Sequence, residues 1–188
     1  MKVHDILRSI RWLALVPALF FPLSARGQLT ASGTINATLI NRNGIALVFE
    51  PNPSGVSLSG AGSPAASLNF GTIAAYGTLS SGVTLTSVSK SSFTVQTFFD
   101  VQVIEGGLNS NSYTLSAQLA AAAPTGLGYV VDGVTLITAA QNIQTNGTYN
   151  TNVQHSLSLV VSTAAPGAGG PTVGSPLTTT LNFTATSN

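Results

Sequence analysis

Acid–base and nucleophilic chemistry needs a histidine, lysine, cysteine or carboxylate pair within reach of a reacting group. This sequence offers few: no cysteine, two histidines, six basic and five acidic side chains in 188 residues. His4 lies in the opening segment, which leaves His155, within VQHSLSLVV. As a general base it would need an adjacent nucleophile and an orienting acid. No such pattern accompanies it, and the expectation is a half-exposed strand residue. One histidine without cysteine falls short of the three or four ligands of a zinc site.

The carboxylates that remain are Glu50, Asp100, Glu105 and Asp132. A glycosidase pair would suit two of them. Asp132 precedes Gly133, where a turn explains it, and Glu50 precedes Pro51 at the end of an apolar run. Asp100 and Glu105 are an odd number of residues apart, so a regular strand sends them to opposite faces. Only tertiary folding would pair these acids. They form no calcium-type cluster, and there is no Walker A loop or dinucleotide fingerprint. Gly167–Gly170 lacks both the spacing and the strand–helix context. No catalytic, cofactor-binding or metal-binding residue is therefore assigned, and no cofactor or enzymatic activity is expected. Carbohydrate binding would need no catalysis, with Tyr76, Tyr113, Tyr129 and Tyr149 as candidates. Packing in the core is the alternative for each tyrosine.

Most of the positive charge sits at the start. Lys2, Arg8 and Arg11 precede an apolar run, Trp12–Phe21, and the small-residue tail Pro22–Gly27 follows it. Those are the three parts of a secretory signal peptide. Ala25 and Gly27 at −3 and −1 place cleavage between Gly27 and Gln28. The run is interrupted by Pro17 and is shorter than the roughly 20 residues a spanning helix needs. Residues 1–27 are thus expected to be a leader, the product to be secreted or at a cell surface, and the mature chain to have no membrane span.

Beyond Gly27 only Arg42 and Lys90 face the four acids, a net charge of −2. Nucleic-acid binding needs clustered cations to neutralise phosphates, and this composition excludes it. Trp12 and the single methionine fall in the leader. Near-zero net charge favours association between copies. The combination of low charge and 44% hydrophobic residues is the reverse of a disordered composition.

The remaining residues, 28–188, read as one all-β domain. Gln28–Ile40 alternates: Leu29, Ala31, Gly33, Ile35, Ala37 and Leu39 share one face, Thr30, Ser32, Thr34, Asn36 and Thr38 the other. Asn41–Gly44 is a turn signal. Strands are predicted over Ile45–Glu50, Ser67–Ala74, Gly82–Ser89, Phe93–Glu105, Ser112–Leu119, Tyr129–Thr138, Val153–Ser162 and Leu177–Thr186, with a short one near Val56–Leu58. Gly71 marks a bulge. Asp132-Gly133 splits its segment as a type I′ turn. Ala164–Pro171 reads as a loop. Some eight to ten short strands separated by turns point to a β-sandwich or barrel. Three Asn-x-Thr triplets, at Asn36, Asn146 and Asn182, carry little weight in so Asn/Thr-rich a chain.

The alternating strand Leu29–Leu39, the segment Leu68-Asn69-Phe70-Gly71-Thr72-Ile73 and the closing strand Leu177–Thr186 together resemble a group of secreted bacterial β-sandwich proteins: spore coat protein U, fimbrial subunits and the related DUF4402 family. The coat and fimbrial groups often carry a cysteine pair that this chain lacks, which moves the resemblance toward DUF4402. The resemblance implies an immunoglobulin-like or pilin-like β-sandwich of about eight to ten antiparallel strands, a structural or adhesive surface protein partnered by copies of itself or by other surface proteins, and assembly by strand addition. There, an extended segment completes a neighbour's sheet through backbone hydrogen bonds while alternate side chains fill pockets. Leu29, Ala31, Gly33, Ile35, Ala37 and Leu39 would be the inserting face. The same period equally suits the first strand of the chain's own sandwich. A stand-alone polysaccharide-binding or adhesin module is the alternative.

Overall fold

Period-two burial organises the structure. The computed structural model describes residues 29–39, 44–107, 110–162 and 176–188. The leader with its Gly27–Gln28 cleavage site, most of the Asn41–Gly44 turn and the Ala164–Pro171 loop lie outside the described residues. Twelve strands are described: β1 (Leu29–Leu39), β2 (Ile45–Glu50), β3 (Leu58–Ser59), β4 (Ala65–Ile73), β5 (Thr84–Val88), β6 (Ser92–Glu105), β7 (Tyr113–Leu119), β8 (Leu127–Val131), β9 (Val134–Thr135), β10 (Gln141–Gly147), β11 (Asn152–Ser162) and β12 (Pro176–Ser187). The described residues contain no helix.

The strands form two sheets, a β-sandwich. Sheet A runs β10-β7-β12-β1-β4-β3, and sheet B runs β2-β6-β11-β8-β9, with β5 also pairing β6. β6 is the spine of sheet B. One edge pairs with β11 from Ser92 to Gln102, while β5 and β2 divide the other edge between its two halves. The count exceeds the expected eight to ten because the Asp132-Gly133 turn divides one predicted segment into β8 and the two-residue β9, and because β10 lies in a segment with almost no apolar pattern. The sandwich is not wholly antiparallel either: β1 and β12 run parallel, from Thr30 opposite Pro176 to Leu39 opposite Ala185. Alternation fixes the face a residue takes and says nothing of strand direction.

The core is the sum of the inward faces. Tyr113, Leu115, Ala117 and Leu119 of β7 are buried, as are Phe93, Val95, Phe99, Val101 and Val103 of β6. Phe49 and Phe99 from sheet B meet Phe183 from sheet A edge-on, with ring centroids 5.4 and 5.7 Å from it. Burying each such ring stabilises the fold by about 1.5–3 kcal/mol, and the edge-on geometry suits the ring quadrupoles.

Two local devices shape the sheets. At Gly71 (φ +62°) the β1–β4 register slips, with Ala31 opposite Gly71 and Ser32 opposite Asn69. That bulge is why Leu68, Phe70 and Ile73 all face inward despite the odd step from 70 to 73. Asp132 and Gly133 have φ of 48° and 82°, the two positive values a type I′ turn requires.

Candidate functional site

β1 occupies the centre of sheet A, between β12 and antiparallel β4. Ala31 and Ile35 are buried, and Ala37 packs against the core. The backbones of Leu29 and Leu39 lie in the strand, but their side chains are outside the described residues. Thr30 and Thr34 are exposed on the opposite face, as alternation requires. The predicted face is thus the one β1 turns inward within this chain.

The seat beneath β1 is an apolar groove. Leu68 and Phe70 of β4 and Leu177 and Leu181 of β12 form its sides, and Tyr129, Leu157 and Leu159 of sheet B form its floor. Ile35 is the one large side chain that β1 is seen to put into it. Under Gly33 there remains an apolar cavity of about 20 Å³. A methyl group on Gly33 would meet Thr179 O at 3.8 Å and Thr179 Cγ2 at 4.0 Å, ordinary van der Waals contact. β1 therefore fills its seat incompletely. Tyr129 reaches this region from below; burial raises its pKa above the ordinary tyrosine value, and a hydrogen bond with Thr179 partly offsets that.

His155 departs from expectation. It is not half-exposed but buried, on the same inward face as Leu157, Leu159 and Val161. Its Nδ1 lies 2.5 Å from Asp132 Oδ2. Asp132 Oδ1 accepts hydrogen bonds from the backbone N–H of Ser156 at 2.7 Å and from its hydroxyl at 3.2 Å. Burial pushes the Asp132 carboxyl up, but the hydrogen bonds from His155 and Ser156 and the attraction of the imidazole outweigh it and leave it below the usual value. A buried imidazole is tolerated because this acid, placed by the type I′ turn, pairs with it. The geometry does not present a base to substrate: Nε2 is sealed in the core without a hydrogen-bond partner, its ring 5.8 Å from that of Phe99. Ser156 bonds to the acid and not to the imidazole.

The other acids are distributed along sheet B. Glu50 and Asp100 are direct cross-strand partners of β2 and β6 on its outer face, a pairing that their positions in the sequence do not reveal. Asp100 Oδ1 accepts from Asn52 Nδ2 at 2.5 Å. Glu105 stands apart at the end of β6, where its N–H bonds Asn150 Oδ1. Among the described residues no three His, Cys, Asp or Glu side chains come together as a metal site would need. Of the tyrosines, Tyr113, Tyr129 and Tyr149 are buried and only Tyr76, 63% exposed, stands on the surface. Core packing explains the first three, so they form no stacking platform.

Thr97 falls on the alternating face of Phe93, Val95 and Phe99 and is fully buried there, but its role is not readable from the sequence. Its hydroxyl accepts from Val56 N–H at 2.9 Å and donates to Gly82 O at 2.8 Å, clamping two loops onto the middle of β6. A threonine among alternating strand residues gives no signal of this. Compared with models of known protein families and with curated protein sequences, the chain matches none.

Proposed function

We propose that this is an exported, non-enzymatic structural protein of a cell surface that assembles with copies of itself by exchange of β1. One observation carries the reading: an alternating strand, β1, sits at the centre of a sheet, in an apolar groove it does not fill. Such a strand has the same seat available in a neighbouring copy. Backbone ladders on both its edges supply affinity, and Ala31, Gly33 and Ile35 supply fit. The small charge leaves little repulsion between copies. The resemblance to coat and fimbrial subunits agrees with this reading.

The test compares the chain from Gln28 with one starting at Asn41, by size-exclusion chromatography with light scattering. Exchange predicts a ladder of multimers for the longer chain, none for the shorter, and rescue of the shorter by a separate peptide of residues 28–40. A longer chain that stays monomeric at all concentrations, with a shorter one that unfolds, confines β1 to its own sheet and removes the proposal.

A further inference from the structure

Little in the ladder between β8 and β11 belongs to one register alone. It sets Val131 opposite Leu157, Tyr129 opposite Leu159 and Gly128 opposite Val160. A slip of one residue would turn the apolar face outward. A slip of two returns every side chain to its own face, with Tyr129 and Val131 against other members of the same buried row of β11. Neither alternation nor apolar burial separates these alignments. The type I′ turn does not either, because it travels with β8 and β9 as one hairpin. Asp132 reaches from that turn to two consecutive residues of β11. Its N–H donates to Ser156 O at 3.2 Å, and its Oδ1 accepts from Ser156 N–H at 2.7 Å. Both bonds use β11 backbone and could be remade two residues along. The contact of Oδ2 with His155 Nδ1 at 2.5 Å could not. A two-residue slip carries the acid about 6.7 Å along β11 and leaves a buried imidazole with neither nitrogen paired, which is costly.

From this geometry we infer that His155 and Asp132 are a register lock, which holds the β8–β9 hairpin in one of several face-preserving alignments on β11. The pair is not the arrangement that stabilises this position most. Nε2 of His155 already has no partner, and leucine at 155 would continue the row of Leu157, Leu159 and Val161. Replacing a buried pair by apolar side chains is often neutral or stabilising, whereas removing one partner is costly. What the pair supplies is discrimination between alignments that the rest of the ladder treats alike. Two parts of the molecule depend on it. β9 is an edge strand of sheet B, where a slipped hairpin presents unpaired backbone to other chains. Tyr129 of β8 belongs to the floor of the β1 seat, so the lock also keeps that floor in place.

Disulfide trapping tests this, because the chain has no cysteine of its own. A Cβ on Gly128 lies 3.5 Å from that of Val160, within disulfide range. Gly128→Cys/Val160→Cys therefore reports the observed register. Gly128→Cys/Ser158→Cys and Gly128→Cys/Ser162→Cys report the two slips; in the observed register these pairs are diagonal neighbours, about 7–8 Å apart, too far to bridge. The full-length chain, expressed with its leader in an exporting host, is equilibrated in a thiol–disulfide buffer, and cross-links are mapped in the monomer fraction. With the lock intact, only the 128–160 bridge is expected. Asp132→Gly/His155→Leu keeps a turn-forming Gly-Gly pair and an apolar residue at 155. It is expected to raise the slipped bridges about tenfold or more with unchanged far-ultraviolet circular dichroism. His155→Leu/Leu157→His moves the imidazole two residues along, ahead of Ser158 as it now stands ahead of Ser156, and is expected to transfer the bridge from 160 to 162. The 128–160 bridge alone in both variants would overturn the inference. So would failure of the first variant to fold, which would show that the pair supplies stability and not register. The bridges form within one chain, so the result is independent of β1 exchange.

Discussion

Gly33→Ala is expected to stabilise the protein, against the usual direction for a core substitution. The added methyl enters the cavity under β1 at ordinary contact distances from Thr179. Burying it gains about 0.8 kcal/mol of transfer free energy, and replacing glycine in a strand gains roughly another 0.5–1 kcal/mol by restricting the unfolded chain. Gly33 is not in the left-handed region, so alanine meets no backbone strain. The sum is about 1.5 kcal/mol, read as a higher urea midpoint at unchanged slope, or a melting temperature raised by roughly 3–6 °C for a domain of this size. Strand exchange adds a kinetic signature. The same seat receives β1 from its own chain or a neighbour, so the substitution stabilises both equally and leaves the equilibrium between them alone. Release of β1 from the seat must slow, by about tenfold for 1.4 kcal/mol. Mixing differently labelled wild-type copies, and separately labelled G33A copies, measures it. A lower midpoint for G33A would mean the space beneath Gly33 does not accept a methyl, and the packing argument fails. A raised midpoint with unaltered subunit mixing would mean that β1 does not leave its seat during assembly.

Two further substitutions probe interactions that the sequence does not reveal. Thr97→Val removes the hydroxyl that joins Val56 N–H to Gly82 O, leaving a buried donor and a half-buried acceptor without it; it should cost about 1–3 kcal/mol in urea unfolding and increase proteolysis within the loops before β3 and β5, whereas an unchanged midpoint would show that water replaces the bridge. Asp132→Asn should flatten the acid limb of stability. The folded carboxyl titrates below its unfolded value, so its contribution is complete above the unfolded pKa of about 3.9 and is lost as pH falls through the lower folded value. Wild-type stability should fall over that window and D132N should fall less; parallel curves would refute stabilisation of the carboxylate by His155 and Ser156 together.

How much of this was legible depended on whether burial or pairing carried the information. β7 and β6 alternate apolar and polar residues because one face is buried, and that pattern is in the chain itself. Gly71 and Asp132-Gly133 were legible because only particular residues tolerate positive φ. β10 was not, because QNIQTNG holds one apolar residue, Ile143. That strand exists through its ladder to β7, irregular at Asn142–Gln144 and Gln144–Gly147, and backbone hydrogen bonding leaves no compositional trace. His155 shows the limit from the other side: it stands in the apolar register of Leu157, Leu159 and Val161, but its burial depended on an acid in a turn more than twenty residues earlier. Pairing between distant elements was likewise invisible, which is why Glu50 and Asp100 appeared unrelated and β1 had two possible neighbourhoods.

The parallel pairing of β1 with β12 also governs how the molecule comes to fold. It joins the first described strand to the last, the most non-local contact the topology allows. High contact order of this kind places folding toward the millisecond-to-second end of the range. A chain emerging from its N terminus holds β1 long before β12 exists, and the hydrophobic side of β1, β4 and Leu68–Phe70 has no completed sheet to close it. Sheet A is a structure that cannot close until β12 has been made. Any partner that holds the nascent chain open, or any delay in the synthesis of β12, acts on the central strands first.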